Sequence, residues 1–386
     1  MSSSCNPCAV GRVLTLMVAL LTCLTEAAHP VTSNPTWTVE GNQSFANLGS
    51  VVGTAGDVNG DGYSDVIVTV GWYDDEPGWA FVYHGSASGL ETTPAWTAHT
   101  SPAVYLTAGP AGDVNGDGFS DVILGAPEYS NGQTFEGRAF VYLGSAAGLS
   151  TTPAWTVENN QAFAEFGSSV GTAGDVNGDG YADVIVGARF FEDLVGQANE
   201  GGAFVYHGSA AGLATTPATT LQSNVQGAHF GTSVGTAGDV NGDGFADVIV
   251  GAPNYTNGEG GEGAAFVYLG SSSGAATTPA WSTEGNQIGA SLGNAVGTAG
   301  DVTGDGYTDV IVGAHQYDNG QNNEGRALVF YGSVAGLATT PGWAVEIDQG
   351  GFGRSVGVAG DVNGDGVSDV IVGAPNYNNG QAAEGF

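Results

Sequence analysis

The stretch G-D-V-N-G-D-G-Y-A-D-V-I-V, residues 174–186, decides the fold because it recurs along the whole chain. Self-similarity at a regular period is the mark of a repeat array, in which each unit packs on its neighbours. A chain of 386 residues, whose length would suit two or three ordinary domains, is therefore predicted to be one array of six units. The copies begin, 56 to 64 residues apart, at Gly56, Gly112, Gly174, Gly238, Gly300 and Gly360.

One unit divides into four pieces of strand length. A small, apolar stretch (166–174) leads into an acidic turn, a β-branched run follows (183–188), and an alternating aromatic and aliphatic stretch comes after a polar loop (203–209). The fourth piece is clearest in the preceding copy (153–158). These patterns predict strands, and no stretch of a unit has the 3.6-residue apolar period of a helix. Four short antiparallel strands per unit predict an all-β protein, a β-propeller of four-stranded blades. A β-solenoid, the alternative, would repeat about every 20 residues.

The two ends of the array are incomplete. Residues 36–44 match the fourth-strand region of an internal unit, whereas the opening strand of the first unit begins near Leu48. The sixth unit supplies two strands within residues 352–374, and Phe386 stands where its third strand would start. The N-terminal piece could complete the last blade and remove a sheet edge, but a missing interior strand leaves unpaired backbone groups. We therefore expect a longer protein that continues through strand three and could extend into a seventh blade.

The N-terminus has the pattern of a secretory signal peptide. An apolar run follows Arg12, is too short to span a bilayer, and is followed by small residues up to Ala28. We predict a signal peptide over residues 1–28 and a single mature propeller domain over 29–386, secreted or held at the cell surface. A buried N-terminal helix and a lipoprotein acceptor at Cys23 are the alternatives. All three cysteines lie in this leader, so the exported chain would lack disulfides and need another source of stability.

The composition limits the classes of partner. The formal net charge is −34, with five arginines and no lysine. Nucleic acids and anionic membranes are bound through clustered Lys and Arg, so both are excluded as partners. No segment after the leader reaches 18 consecutive apolar residues, so no transmembrane helix is predicted. A hydrophobic fraction of 41% suffices for a packed core, and 67 glycines indicate many tight turns.

Each repeat carries an acidic loop of the form D-x-N-x-D-G-x-x-D. Side-chain oxygens fall at loop positions 1, 3, 5 and 9, the glycine at position 6 allows a sharp turn, and position 7 can offer its backbone carbonyl. This all-oxygen set favours Ca²⁺ over transition metals, and we predict up to six Ca²⁺ ions, one per repeat. Thr303 replaces Asn in the fifth loop, which is the weakest candidate. In loop order, the candidate ligands are Asp57, Asn59, Asp61, Tyr63 and Asp65; Asp113, Asn115, Asp117, Phe119 and Asp121; Asp175, Asn177, Asp179, Tyr181 and Asp183; Asp239, Asn241, Asp243, Phe245 and Asp247; Asp301, Thr303, Asp305, Tyr307 and Asp309; and Asp361, Asn363, Asp365, Val367 and Asp369.

Two interpretations compete with this one. An EF-hand would need a bidentate Glu at position 12, where the first copy has Val68, and flanking helices. An Asx-turn hairpin without metal explains one or two such residues. It does not explain three carboxylates in every copy, since two like charges ~4 Å apart repel by about 4 kcal/mol at an effective dielectric of ~20. The six loops hold 18 of the 39 acidic residues, so six Ca²⁺ ions would bring the formal charge from −34 to −22.

Pairs of F-G followed by G-A-P, with the acidic loop between them, resemble the FG-GAP repeat. The complete pattern is seen in the fourth unit, in Phe230-Gly231 and residues 251–253, and in the sixth unit, in Phe352-Gly353 and residues 373–375. The resemblance covers the mature chain and implies the seven-bladed propeller of integrin α-subunits and of many exported bacterial proteins. It also implies Ca²⁺ between the first two strands of a blade, on the face opposite the ligand-binding surface. The second unit departs from the pattern, with residues 104–106 in place of F-G, and the first, third and fifth units lack the Pro of G-A-P.

The resemblance implies a non-catalytic adhesion module that binds a protein or glycan. Candidate contact surfaces are the polar loops between strands two and three, such as residues 128–136, 254–262 and 316–324. The alternatives are the propeller portion of an extracellular, phospholipase-like hydrolase and a structural surface or matrix component. G-x-S-x-G occurs in three units, at residues 167–171 for example, but within a strand and not at a strand-to-helix elbow, so we interpret it as structural. The histidines share no constellation, and no nucleophile and base are nominated.

Overall fold

The computed structural model describes residues 37–41, 46–73, 76–100, 104–193, 198–347 and 350–377, and every regular element in these ranges is a β-strand. The chain divides into two units, residues 1–39 and 40–386. In the first unit, residues 37–39 form no strand, and the predicted signal peptide lies outside the described residues. The second unit holds all the strands, as follows: β1 (Leu48–Gly56), β2 (Asp65–Tyr73), β3 (Glu76–Tyr83), β4 (Trp96–His99), β5 (Thr107–Gly112), β6 (Asp121–Ala126), β7 (Arg138–Tyr142), β8 (Trp155–Glu158), β9 (Phe166–Gly174), β10 (Asp183–Ala188), β11 (Gly202–Tyr206), β12 (Thr219–Gln222), β13 (Ser233–Gly238), β14 (Asp247–Ala252), β15 (Ala264–Tyr268), β16 (Trp281–Glu284), β17 (Leu292–Gly300), β18 (Asp309–Ala314), β19 (Arg326–Phe330), β20 (Trp343–Glu346), β21 (Ser355–Gly360) and β22 (Asp369–Gly373).

The strands form five antiparallel sheets of four and a sixth sheet of two described strands. Neighbours in each sheet are neighbours in the sequence, and we call the sheets blades 1 to 6. In blade 3, Ile185 of β10 stands opposite Gly171 of β9 and Val205 of β11. The prediction of an all-β chain of four-stranded antiparallel blades is confirmed. The third strand of blade 6, predicted to start at Phe386, lies outside the described residues.

The apolar cores lie between the blades. All six residues of β10 are buried because a neighbouring blade covers each of its faces. Val184 and Val186 pack with Trp155 of blade 2, whereas Ile185 packs with Val234 of blade 4. This explains why the second strand of each unit is a continuous apolar run and does not alternate with polar residues.

The first strands of consecutive blades pack against one another, β1 on β5 and so on to β17 on β21, which gives a propeller-like arrangement of the repeats. The contact is close because both partners are glycines. A Cβ at Gly187, the glycine of G-A in blade 3, would overlap the carbonyl oxygen of Gly231, the glycine of F-G in blade 4. The same overlap would arise at Gly125 with Gly167, Gly251 with Gly293 and Gly313 with Gly353.

The series of described blades is not closed into a ring. On blade 6, Val362 is 72% exposed and Ile371 is 63% exposed, although their counterparts in blade 3, Val176 and Ile185, are fully buried. Residues 37–41 form no strand, and the rest of the 36–44 stretch that could complete a blade lies outside the described residues. Among the described residues, no helix is long and apolar enough to cross a membrane.

Candidate metal centre

Each acidic loop connects the first strand of a blade to the second. The loop of blade 3 runs from Asp175, directly after β9, to Asp183, the first residue of β10. All six candidate ligand sets occupy this connection, one per blade. The repeat therefore places six copies of the same loop at equivalent positions.

The carboxylate at position 1 organises the loop backbone. In blade 3, Oδ1 of Asp175 accepts the N–H groups of Gly178 at 2.7 Å and Asp179 at 3.0 Å, and Oδ2 accepts that of Gly180 at 2.8 Å. The turn needs positive φ at Gly178 (72°) and Gly180 (90°), a region that glycine enters without strain. The same three bonds to position 1 recur in all six loops.

In the first four loops, the side chains at positions 3 and 5 are joined by a hydrogen bond. Asn177 Nδ2 donates to Asp179 Oδ2 at 2.9 Å, and Asp179 Oδ1 accepts the N–H of Tyr181 at 3.1 Å. In the fifth loop, the hydroxyl of Thr303 donates instead to Asp301 Oδ1 at 3.3 Å. Thr303 therefore offers one side-chain oxygen. The position-5 carboxylate of this loop lacks the amide N–H donor that Asn177 provides in blade 3.

The position-9 carboxylate is buried in blades 1 to 5 and holds the loop to the blade. Asp183 Oδ2 accepts the N–H of Val176 at 3.0 Å, and its Oδ1 accepts that of Gly208, beyond β11, at 2.8 Å. Loss of water raises the pKa of Asp183 to about 7 although these two donors oppose the shift, and the negative charges of Asp179 and Asp175 add to the rise. The equivalent pKa is raised to about 7 at Asp121 and to about 6 at Asp247, also chiefly by burial.

The loops bring the ligands of positions 1, 3 and 5 together and direct position 9 toward the strands. Among the described residues, no group of three or more His, Cys, Asp or Glu side chains is already arranged to hold a metal ion. The chemistry of the donors nevertheless fits a hard cation, because every side chain at positions 1, 3, 5 and 9 offers oxygen and position 7 offers its backbone carbonyl. The electrostatics fit as well, because a cation would reduce the repulsion between the buried carboxylate and the two carboxylates beside it.

Sequence reasoning missed a buried glutamate at the end of the loop between strands two and three. Glu262 accepts the N–H of Asn257 at 2.7 Å and that of Asn286 at 3.2 Å, so it fixes the loop of blade 4 from within. The repeated pair E-G, as in Glu262-Gly263, was the signal that could have found it. The equivalent residues are also buried, at Glu136, Glu200 and Glu324.

Two of the three G-x-S-x-G serines have structural partners. Ser169 Oγ accepts the N–H of Val234 at 3.1 Å, and Ser233 Oγ accepts that of Val296 at 3.1 Å, each across a blade joint. These hydroxyls link neighbouring first strands, which agrees with the structural interpretation of the motif.

Comparison with known proteins matches the repeats to one family. The family model described as "FG-GAP repeat" matches more than half of the chain, in residues 48–85, 105–142, 166–206, 230–268, 292–330 and 352–384. Integrin alpha-5 of Xenopus laevis is 34% identical over 151 residues, which are 37% of this chain and 14% of that protein. Integrin alpha pat-2 of Caenorhabditis briggsae is 33% identical over 217 residues, 51% of this chain and 17% of that protein. The matched part thus spans less than a fifth of these relatives.

Proposed function

The chain belongs to the FG-GAP repeat family, and we propose that it is a calcium-stabilised, non-catalytic binding module that acts in adhesion outside the cell or at its surface. The observation that carries this proposal is the sixfold repetition of one loop with the same backbone hydrogen bonds to position 1 and, apart from Thr303 in the fifth loop, the same oxygen ligands. Similarity to integrin alpha subunits supports the adhesion role.

In each loop, the residues that would hold Ca²⁺ are those at positions 1, 3, 5 and 9 together with the carbonyl of position 7. The bound ion supplies positive charge to three mutually repelling carboxylates. In blade 3 the turn is ordered by hydrogen bonds before an ion binds, because Asp175 accepts three N–H groups of the turn and Asp183 links the turn to the sheet. A loop shaped in this way has less conformational freedom to lose when it binds an ion.

The proposed ligand surface is formed by the loops between strands two and three, at the opposite ends of the strands. The loops of residues 128–136, 254–262 and 316–324 are each closed at the base by the N–H of a glycine that donates to a tyrosine carbonyl, as Gly263 does to Tyr255 at 3.1 Å. The buried Glu262 holds the same loop from inside, while Glu259 near the tip is exposed. A loop whose base is fixed by hydrogen bonds and whose tip is polar and exposed suits recognition of a protein or glycan.

The proposed function includes export of the chain. Residues 1–28 would be removed as a signal peptide, and the domain from residue 29 would fold without cysteines. Calcium would then take the stabilising role that disulfides have in many exported proteins. Extracellular calcium modules bind at about 10⁻⁴ to 10⁻³ M, in keeping with calcium-rich surroundings.

Thermal unfolding with and without calcium tests the metal. We expect the melting temperature to rise with CaCl₂ and to fall after EDTA, because an ion bound only by the folded state stabilises it in proportion to RT ln(1 + [L]/Kd). Asp175→Ala combined with Asp179→Ala should lower the melting temperature in calcium and much less in EDTA. The matched control removes two exposed carboxylates outside the acidic loops, Glu128→Ala with Glu259→Ala, and should keep the full calcium response. An identical transition in calcium and in EDTA would refute structural calcium.

A further inference from the structure

A backbone hydrogen bond joins the acidic loop of each of blades 2 to 6 to the loop of the preceding blade. In blade 4, the N–H of Ala246, at loop position 8, donates to the carbonyl oxygen of Asp175, at position 1 of the blade 3 loop, with an N···O distance of 3.0 Å. The other four joints repeat this bond at 2.8–3.0 Å. Its donors and acceptors there are Ser120 and Asp57, Ala182 and Asp113, Thr308 and Asp239, and Ser368 and Asp301.

The side chain at position 7 makes a second link across the same joint. The ring of Phe245 covers position 4 of the preceding loop so closely that a Cβ at Gly178 would lie 2.6 Å from the ring carbon Cε1. The ring thereby limits the motion of the turn that Asp175 organises. Phe119, Tyr181 and Tyr307 lie in the same way over Gly60, Gly116 and Gly242, and the smaller Val367 lies over Gly304.

One peptide group serves both loops. The carbonyl of Phe245 is the proposed position-7 ligand of its own loop, and the N–H of Ala246 on the same peptide bond is held by Asp175 of the loop before. A peptide unit is planar and rigid, so whatever fixes its carbonyl also fixes its N–H. Drawing electron density from the carbonyl also strengthens the N–H as a donor, as in other hydrogen-bonded chains.

From these contacts we infer that calcium binding is cooperative from blade to blade, with the position 7–8 peptide and the position-7 ring as the coupling elements. This inference rests on the proposed calcium function and adds its regulation. An ion in the loop of blade 4 holds Ala246 N–H on Asp175 and so favours the binding-ready form of the loop of blade 3. Because coupling is reciprocal, an ion in blade 3 favours binding in blade 4 by the same factor.

Calorimetric titration of the whole chain with Ca²⁺ alone, from a metal-free state, tests the coupling. We expect a Hill coefficient above 1 for the wild type. Phe245→Ala keeps the backbone carbonyl but removes the ring over Gly178, so it should bring the Hill coefficient closer to 1 and weaken binding at this joint by about five-fold. Val367→Phe adds a ring at the joint that has the smallest side chain, and it should tighten binding there.

Tyr63→Ala is the matched comparison. Tyr63 holds position 7 of the first described loop, is 44% exposed, and its ring covers no position-4 glycine among the described residues. Its substitution measures the local effect of removing the ring from a loop. The additional loss of calcium affinity in Phe245→Ala measures the coupling.

Hydrogen exchange gives an independent readout. When Asp239→Asn and Asp243→Asn disable the loop of blade 4, the amides of Gly178 and Gly180 should exchange faster at saturating calcium.

The outcomes separate the two proposals. A wild-type chain that binds no calcium overturns the proposed function and the coupling with it. A wild type that binds calcium with a Hill coefficient of 1, and a Phe245→Ala variant no weaker than Tyr63→Ala, overturn the coupling and leave the calcium function standing. If Phe245→Ala fails to fold in a melting control, Val367→Phe is the deciding variant. A calcium affinity and a Hill coefficient equal to those of the wild type would then overturn the coupling.

Discussion

The joint between blades 3 and 4 and the outer face of blade 6 are built from the same sequence motif but differ in what covers them. At the joint, Ile185 is fully buried, Ala246 N–H bonds to Asp175, and a ring covers Gly178. On blade 6, the equivalent Ile371 is 63% exposed and a Cβ at Gly364 would meet nothing within 4 Å. The difference shows that a blade's burial and its loop contacts come from the next blade and not from its own sheet.

The largest expected effect is at the glycine where two blades touch. Gly187→Ala would drive a methyl group into the carbonyl of Gly231, so we expect a loss of about 3 kcal/mol or more in the free energy of unfolding. The same change at the open face, Gly373→Ala, meets chiefly the side chain of Ser355 in its own blade and should cost far less. Urea unfolding of both variants measures the difference, and equal losses would mean that the blade contact does not set the requirement for glycine.

A second pair of substitutions probes the apolar core. Ile185→Ala deletes a fully buried side chain between two blades and should cost about 2–5 kcal/mol. Ile371→Ala alters the equivalent side chain on blade 6, which is 63% exposed, and should cost under about 1 kcal/mol. If the two costs agree, then blade 6 is covered in solution as the inner blades are.

The strands and the loops could be predicted because the repeat shows each signal several times. The β-branched run of β10 and the turn glycines at Gly178 and Gly180 are local features that fix their own conformation. The sequence pattern predicts a third strand that runs to residue 209, whereas β11 ends at Tyr206. The reason is not local: the N–H of Gly208 donates to the buried Asp183 and not to a strand partner.

The sequence pattern does not predict the contacts between blades. The sequence pattern predicts a role for the position-7 carbonyl only, because nothing in one repeat shows that the aromatic ring reaches the preceding loop. The buried Glu262 was hidden for a similar reason, because it lies in a polar loop and its burial depends on the fold around it. The arrangement of the acidic side chains around an ion likewise stays a prediction, since spacing alone does not fix where a carboxylate points.

The smallest expected effect lies at the last joint, between blades 5 and 6. His315 Nε2 lies 3.0 Å from the guanidinium of Arg354, and burial, together with that positive charge, lowers the pKa of His315 to about 4. An unfolded histidine titrates near pH 6.5, so between about pH 4 and 6.5 the unfolded chain binds more protons than the folded one. Stability from this group is therefore present above pH 6.5 and is lost as the pH falls toward 4. Because the group is only partly buried, we expect a difference on the order of 1 kcal/mol.

Comparing the pH dependence of His315→Gln with that of the wild type isolates this effect from other titrating groups, since those remain in both proteins. The variant should lose less stability than the wild type between pH 6.5 and 4.5 in denaturant unfolding. Arg354→Gln removes the positive charge but leaves the burial, and it should raise the lower limit of the pH window without abolishing it. If His315→Gln and the wild type lose stability in parallel, the contact between blades 5 and 6 does not hold this histidine neutral, and the last joint is looser than the inner ones.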